Sequence, residues 1–165
     1  MEKRDLYDIN KNLTGETVFK GEKTPAGKYI LVVLVFIQNS KGEFLIQKRS
    51  LKKDGKFAST GGHPKSGESS IQGILTEIKE EIGLDVNEKE LELVFGGRTD
   101  INRAFYDIYY LKKDIDIKDL ILEKEEVDFV EWCSVKHIKK LIEDGLFLEN
   151  HADEFFRVLD YLKSK

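Results

Sequence analysis

The chain of 165 residues contains one cysteine, Cys133, and two prolines. A single cysteine cannot form an intrachain disulfide, and a zinc site would need ligands of other types. The longest apolar run, Ile30 to Ile37, is well short of the roughly twenty residues of a membrane-spanning helix. Because the charged N-terminus also leads into no apolar signal core, we expect a cytoplasmic protein with no membrane partner.

No charge of one sign dominates the composition. Lysine and arginine number 27 and the acidic residues 31, which gives a net charge of −4. Such a chain has no bulk electrostatic attraction for a nucleic acid polymer, so none is expected as a partner. With 40% hydrophobic and 35% charged residues, the composition is globular and excludes disordered and collagen-like classes.

Hydrophobic periodicity predicts the order of the secondary structure. The β-branched run from Tyr29 to Ile37 indicates a strand buried on both faces, and a turn at 39–42 joins it to a second strand of a hairpin. Apolar residues at helical spacing predict a helix from about Ser69 to Ile82, with Gly83 as its C-terminal cap. Further predicted elements are strands at 43–49, 91–95, 105–111 and 127–132 and helices at 135–143 and 149–163.

This order of elements favours one α+β domain with a mixed sheet covered by helices. Within it, we expect residues 1–27 to form an N-terminal extension or an edge hairpin. Residues 28–145 form the predicted core, and residues 146–165 carry the C-terminal helix. A homodimer is plausible for a domain of this size.

Three glutamates of the predicted helix share one side. On a wheel counted from Ile71, Glu77, Glu80 and Glu81 lie at roughly 240°, 180° and 280°, beside the buried stripe. Their mutual repulsion near the C-terminal end of the helix predicts a compensating hard cation, Mg²⁺ or Mn²⁺. Backbone carbonyls of the preceding Gly61-Gly62 loop can approach the same ion. Taken alone, the pattern is also typical of a solvated helix face.

The wider spacing resembles the Nudix box, Gly-x5-Glu-x7-Arg-Glu-apolar-x-Glu-Glu-x-Gly-apolar. The matching positions are Gly62, Glu68, Glu77, Ile78, Glu80, Glu81, Gly83 and Leu84. The resemblance to the Nudix hydrolase superfamily implies an α/β/α sandwich around a mixed sheet. It also implies metal-dependent hydrolysis of a diphosphate bond that links a nucleoside diphosphate, or a similar group, to another moiety.

The same resemblance implies roles for individual residues. Glu77, Glu80 and Glu81 would bind Mg²⁺ or Mn²⁺ with a carbonyl of Gly61 or Gly62, while Glu68 and Gly83 would support the box. Glu126 is the first candidate for an additional catalytic acid, and Glu125 is the second.

Three cations are candidates for contact with the anionic substrate, a small diphosphate compound. Lys48 and Arg49 lie on the strand before the box, and Arg98 flanks a predicted loop.

Two departures from the pattern keep alternatives open. Thr76 stands at the usual Arg position and offers at most a hydroxyl hydrogen bond, which leaves a catalytically weak binding or regulatory protein as a second hypothesis. The entrance Thr60-Gly61-Gly62-His63-Pro64 resembles that of isopentenyl-diphosphate isomerases, whose catalytic cysteine would stand at Gly61. Since glycine has no proton donor, hydrolysis is favoured over isomerisation.

The remaining candidates have ordinary interpretations. We expect His63 to be a loop residue shaped by Pro64, with phosphate contact as its alternative. His137 and His151 are predicted on the surfaces of the closing helices, and Cys133 is predicted to be a packing residue rather than a nucleophile.

Overall fold

The computed structural model describes residues 1–165 and begins with a separate two-stranded antiparallel sheet. Its strands are β1 (Lys3–Tyr7) and β2 (Leu13–Phe19). The Asp5 carboxylate accepts hydrogen bonds from the Ser66 hydroxyl at 2.6 Å and from the Gly67 N–H at 3.0 Å. These bonds hold the N-terminal hairpin against the loop that leads into the box helix.

Seven strands form the central mixed sheet, and three helices pack around it. The strands are β3 (Ile30–Gln38), β4 (Phe44–Arg49), β5 (Phe57–Ala58), β6 (Thr60–Gly62), β7 (Glu92–Thr99), β8 (Ala104–Lys112) and β9 (Val127–Cys133). The helices are α1 (Ser70–Ile82), α2 (Val135–Glu143) and α3 (Glu149–Lys163). No helix is both long enough and apolar enough to span a membrane.

β3 separates two hydrophobic cores, as its continuous apolar sequence predicts. Its odd-numbered residues, such as Val33 and Val35, pack with the isoleucines of α1 in one core. Its even-numbered residues Leu34 and Phe36 pack with α2 and α3 in the other. Because successive side chains of a strand point to opposite faces, helices cover both sides of the sheet. The expected α/β/α sandwich is confirmed.

The predicted hairpin of β3 and β4 opens immediately after its turn. Only Gln38 and Phe44 pair between these strands. β3 continues with β6 on one side and in parallel with β8 on the other, whereas β4 pairs with β5 and β9. The strands separate because each finds other partners, and the space between their far ends becomes the floor of a large cavity.

Helix α1 begins and ends at capping residues that the sequence contains. Ser69 is the N-cap and forms a reciprocal capping box with Gln72. Gly83 closes the helix in the left-handed conformation with φ of 69°, and its N–H donates to the Lys79 carbonyl at 3.0 Å. Between the caps, Ile74, Ile78 and Ile82 are fully buried, each contributing about 1.5–3 kcal/mol. This packing fixes the rotation of α1 and so the direction of its glutamates.

Two strand predictions needed correction. The segment 91–95 was expected to be a short strand, but β7 runs from Glu92 to Thr99, because all of this stretch pairs with β8. Gly61 and Gly62 were expected in a loop, but they lie in β6 and pair with Leu34 and Val33. Helices α2 and α3 occur as predicted.

Candidate active site

A cavity of about 970 Å³ lies where α1, the open end of the sheet and the N-terminal hairpin meet. The acidic side chains on its wall include Glu77, Glu80 and Glu81 of α1 and Glu123, Glu125 and Glu126 of the loop before β9. The basic side chains are Arg4, Lys20, Arg49 and Lys53. The cavity therefore contains both a carboxylate cluster and cations suited to an anionic ligand.

The three glutamates of α1 differ in their surroundings. Glu81 is only 9% exposed, and its Oε1 atom is buried without a hydrogen-bond partner. Glu77 is half-buried beside it. Glu80 is exposed, and its carboxylate accepts a hydrogen bond from the Lys65 ammonium at 2.7 Å. Two of the three carboxyls, those of Glu77 and Glu81, thus line the cavity away from bulk solvent.

Burial raises the pKa of both inner glutamates. For Glu77, burial and the neighbouring charge of Glu80 raise the pKa to about 7. For Glu81, burial and the facing Glu77 carboxyl raise the pKa well above its usual range, against the opposing influence of Gln47 and the Gly61 N–H. Folding places two carboxyls in an environment that disfavours their charged forms, and a bound cation would reverse this preference.

Gly62 leaves the space beside β6 that the Glu77 carboxylate occupies. A Cβ atom on Gly62 would lie 2.5 Å from the Glu77 Cδ atom. A Cβ atom on Gly61 would lie 2.4 Å from both the Leu34 Cδ2 atom and the Val33 carbonyl oxygen. The glycine pair therefore places the β6 backbone beside the carboxylates: a side chain at position 61 would collide with the β3 backbone, and one at position 62 would displace the Glu77 carboxylate.

This donor set fits a hard divalent cation. It consists of oxygen atoms only, it includes an orphaned buried carboxylate oxygen, and it adjoins a backbone free of side chains. Carboxylate and carbonyl oxygens are the ligands that Mg²⁺ and Mn²⁺ prefer. Glu77, Glu80, Glu81 and the carbonyls of Gly61 and Gly62 are the residues here that could hold the ion.

Thr76 and Glu68 connect the helix to the loop that precedes it. The Thr76 hydroxyl donates to Glu68 Oε2 at 2.6 Å, while Glu68 Oε1 accepts from the Lys65 N–H at 2.7 Å. Threonine at the usual arginine position thus still binds a carboxylate of the box. The partner is Glu68, which lies before the helix, and not one of the three glutamates of α1.

The structure separates the two cations predicted on β4. Arg49 lines the cavity, and Asp54 holds its Nε atom at 2.9 Å. Lys48 lies outside the cavity, with its ammonium 5.6 Å from the centre of the Phe57 ring. Since side chains alternate along a strand, Gln47 and Arg49 share the cavity face and Lys48 points away. The structure gives no support to Lys48 as a substrate contact.

Arg98 also lies outside the main cavity. Its Nε atom pairs with Asp100 at 3.0 Å, and its side chain lines a neighbouring groove of about 460 Å³. Arg98 therefore does not line the cavity that contains the box glutamates, and its predicted contact with the substrate stays a prediction for the neighbouring groove.

Both predicted catalytic acids of the late loop lie on the cavity wall. Glu126 pairs with Lys53 at 3.0 Å, and Glu125 pairs with Lys52 at 2.5 Å. Glu125 is the more exposed of the two, with 68% of its side chain accessible against 36% for Glu126. Glu126 is therefore better placed to act inside the cavity.

The N-terminal hairpin contributes cavity residues that the sequence pattern did not indicate. Arg4 on β1 is largely buried, and its Nε atom lies 3.8 Å from a Glu2 carboxylate oxygen without a hydrogen bond. Burial together with the charges of Arg4 and Lys20 lowers the pKa of His63 to about 4. His63 is thus a neutral, half-buried residue of the cavity wall beside two cations. No motif in the first twenty residues could have signalled this placement.

The prediction for His151 was wrong, because this residue lines the cavity instead of the protein surface. Its Nδ1 atom accepts the Ser59 N–H at 3.2 Å, so the ring proton lies on Nε2. Burial lowers the pKa of His151 to about 3. The sequence could have indicated this placement. His151 lies three residues after Leu148 and four before Phe155, a spacing that puts it on the apolar face of α3.

The other two expectations about single residues are confirmed. His137 is exposed on the first turn of α2. Cys133 is buried in the core between the sheet and α2, where burial and the adjacent Glu131 raise the pKa of its thiol to about 12. Such a thiol is a packing residue and not a nucleophile.

An oxygen-rich cation site beside basic side chains, on an α/β/α sandwich, is typical of proteins that act on phosphorylated compounds. Residues 28–153 match the family model of the NUDIX domain. An uncharacterized Nudix hydrolase of Listeria monocytogenes is 34% identical over 152 residues, which cover 90% of this chain and 89% of that protein. The chain belongs to the Nudix hydrolase family.

Solved structures share the fold at low sequence identity. A crystal structure from Deinococcus radiodurans covers 94% of this chain and 98% of its own, with a TM-score of 0.79 and 21% identity. A bifunctional NMN adenylyltransferase/ADP ribose pyrophosphatase from Francisella tularensis, complexed with AMP and a Mn ion, has a TM-score of 0.60 and 16% identity. It covers 87% of this chain and 42% of that one.

Proposed function

We propose that the protein is a Mg²⁺- or Mn²⁺-dependent hydrolase of a diphosphate bond that joins a nucleoside diphosphate, or a similar group, to another moiety. The proposal depends on one observation. Glu77 and Glu81, whose Oε1 atom has no hydrogen-bond partner, line a cavity whose other walls carry cationic side chains. The Francisella neighbour, which holds AMP and a Mn ion, is consistent with this chemistry.

The cation would be held by Glu77, Glu80 and Glu81 with a carbonyl of Gly61 or Gly62. When bound, it supplies neutralisation of charge on the diphosphate and activation of the attacking water. Glu68 and Gly83 contribute indirectly. The first holds the loop and Thr76 together, and the second closes α1 so that its last turn keeps the glutamates in place.

Basic residues on the facing walls would bind the phosphates. Arg4 has an unused buried donor, and Arg49 is oriented by its bond to Asp54. Guanidinium groups bind phosphate oxygens through paired charge-assisted hydrogen bonds, which makes these two residues the first contacts to test. Lys20 and Lys53 add positive charge nearby.

Glu126 is proposed as the general base. It lies on the cavity wall, and the ammonium of Lys53, at 3.0 Å, is the one charged partner of its carboxylate. A carboxylate in that position can accept a proton from the water that attacks the phosphorus. Glu125 remains the second candidate. The isomerase alternative is disfavoured further, because Gly61 is packed against β3 and leaves no space for a cysteine side chain.

The test is product release from a panel of NDP-sugars, dinucleoside polyphosphates and nucleoside diphosphates, measured by ion-exchange chromatography at pH 8 with Mg²⁺, Mn²⁺ or EDTA. We expect turnover of at least one compound that requires metal and falls at least about a hundredfold in Glu81→Gln. Glu143→Gln, an exposed change on α2, is the matched control. Metal-independent turnover would contradict the role of the metal, and no turnover on any compound would contradict the proposal and favour a binding or regulatory protein.

A further inference from the structure

A groove of about 460 Å³ continues from the cavity along α3. The two spaces adjoin, because Asn102, Tyr106 and Asn150 line both of them. The far end of the groove is formed by β7 and α3 and contains Phe95, Glu154 and Arg157. None of these residues has a role in the hydrolysis proposed above.

Glu154 is the unusual member of this groove. It is only 9% exposed, and its Oε2 atom is buried without a hydrogen-bond partner. Arg157 lies 3.5 Å away through its Nε atom, which is an ion pair outside hydrogen-bonding geometry. The Arg157 charge offsets part of the cost of burying Oε2, but neither oxygen of Glu154 accepts a hydrogen bond from the protein. A ligand that brings an N–H or O–H group to the other oxygen, on the groove side, would supply the missing bond.

The groove also provides a surface for a flat ring. The Arg157 guanidinium lies 4.2 Å from the centre of the Phe95 ring, which holds the guanidinium plane in place. Phe95 lies across Gly97, where a Cβ atom would be 2.5 Å from the ring. Tyr106 stands at the junction with the cavity. Planar rings stack on guanidinium groups and on aromatic faces.

We propose that this groove binds the base of a nucleotide substrate, and that Glu154 selects bases with an amino group at the edge that enters the groove. A carboxylate accepts hydrogen bonds but cannot donate them. If Glu154 meets the exocyclic group and not the neighbouring ring nitrogen, it accepts from the amino group of cytosine or adenine and repels the keto oxygen of uracil or hypoxanthine. The inference rests on the proposed function, because it places the diphosphate of the same ligand at α1.

Two matched pairs test the selection without any need for hydrolysis. Cytidine and uridine monophosphates differ at one exocyclic group, and so do the adenosine and inosine monophosphates. Calorimetric titration of the intact protein at pH 8 should show binding of the amino member at least about fivefold tighter within a pair, since an unpaired buried acceptor is costly. The preference should appear in at least one pair.

The variant Glu154→Gln separates selection from general binding. Glutamine can donate as well as accept, so the preference should fall to within about twofold while the keto member binds no worse. Glu149→Gln is the matched control, because it removes the same charge from an exposed site of α3 outside both cavities. This control should keep the wild-type preference.

The outcomes distinguish this inference from the proposed function. Metal-dependent hydrolysis without a preference for amino bases, or a preference that survives in Glu154→Gln, would overturn the role of Glu154 and leave the hydrolase intact. A preference lost in Glu154→Gln, in a protein that hydrolyses nothing, would support the groove and overturn the hydrolase. Equal binding of all four nucleotides by the wild type overturns the inference directly.

Discussion

Replacing Glu81 with glutamine should make the metal-free protein more stable and the metal-bound protein less so. In the folded chain the residue Glu81 is 9% exposed, and its Oε1 atom has no hydrogen-bond partner. Burial raises the pKa of this group well above its usual range, which means that its charged form is held at a cost. Glutamine keeps the shape and removes the charge, so part of the cost is removed together with the metal ligand.

The size of the effect follows from ordinary values. An unsatisfied buried polar group costs about 1–3 kcal/mol, and an amide at the same place recovers only part of it. We therefore expect metal-free Glu81→Gln to gain roughly 1–2 kcal/mol at pH 8, or about 3–6 °C in Tm for a chain of this size. For the wild type, a cation at a hundred times its Kd adds about 2.7 kcal/mol. The variant should gain far less.

The assay is thermal unfolding at pH 8 in EDTA and in millimolar Mg²⁺ or Mn²⁺, followed by circular dichroism. We expect the variant to have the higher Tm in EDTA. With metal, the Tm of the wild type should rise to that of the variant or above it. Glu143→Gln, exposed on α2, should follow the wild type in both conditions.

Two results would refute the reasoning. If Glu81→Gln were less stable than the wild type in EDTA, the buried carboxylate would not be the source of strain that its environment indicates. If the variant kept the full gain from metal, the ion would not bind at the last turn of α1.

Three further predictions concern the same helix. Gly62→Ala should raise the Mg²⁺ concentration for half-maximal thermal stabilisation at least about tenfold, because its Cβ atom would lie 2.5 Å from the Glu77 Cδ atom and must displace that carboxylate. An unchanged Mg²⁺ concentration at half-maximal stabilisation would contradict the close approach. Thr76→Val should lower the free energy of unfolding in urea by about 1–2 kcal/mol, because it loses the hydrogen bond to Glu68. Thr76→Arg can pair with Glu68 and should keep the wild-type stability and hydrolysis rate. If Thr76→Arg were less stable than Thr76→Val, the site would have been rebuilt around threonine. In EDTA, the wild type should lose roughly 1–3 kcal/mol of unfolding free energy relative to Glu77→Gln as pH rises from 5 to 8, because the pKa of Glu77 is about 7 in the folded chain and 4.5 in the unfolded chain. The comparison with the variant cancels the opposite contribution of the two cavity histidines, whose pKa values are lowered by folding. Parallel pH profiles of the two proteins would contradict the raised pKa.

Local geometry explains why the sequence predicted α1 so well. The apolar stripe of Ile74, Ile78 and Ile82, the start near Ser69 and the end at Gly83 depend on residues within four positions of one another. The relative directions of Glu77, Glu80 and Glu81 follow from the same helical repeat. The spacing of the box, which identified the family, is also a local property. These features could be predicted because neighbouring backbone angles determine them.

Strand partners and cavity walls depend on distant parts of the chain. The sequence predicted that β3 and β4 form a hairpin, but both strands leave it for β6, β8 and β9, whose competing pairings no local pattern contains. The same holds for Arg4 and His151, which reach the cavity from opposite ends of the sequence. Alternation along β4 could have excluded one of Lys48 and Arg49, but only the sheet showed which face is inward.

The sequence by itself therefore determined the box helix and the directions of its carboxylates, since these follow from spacing within one element, while its resemblance to the Nudix box implied the class of chemistry. The tertiary structure decided which carboxylates are buried, that Thr76 binds Glu68, and that the N-terminal hairpin and α3 complete the cavity. The physical reason is the range of the interactions. A helix places its side chains through bonds between residues four apart, whereas a cavity is enclosed by segments that meet only when the whole core packs.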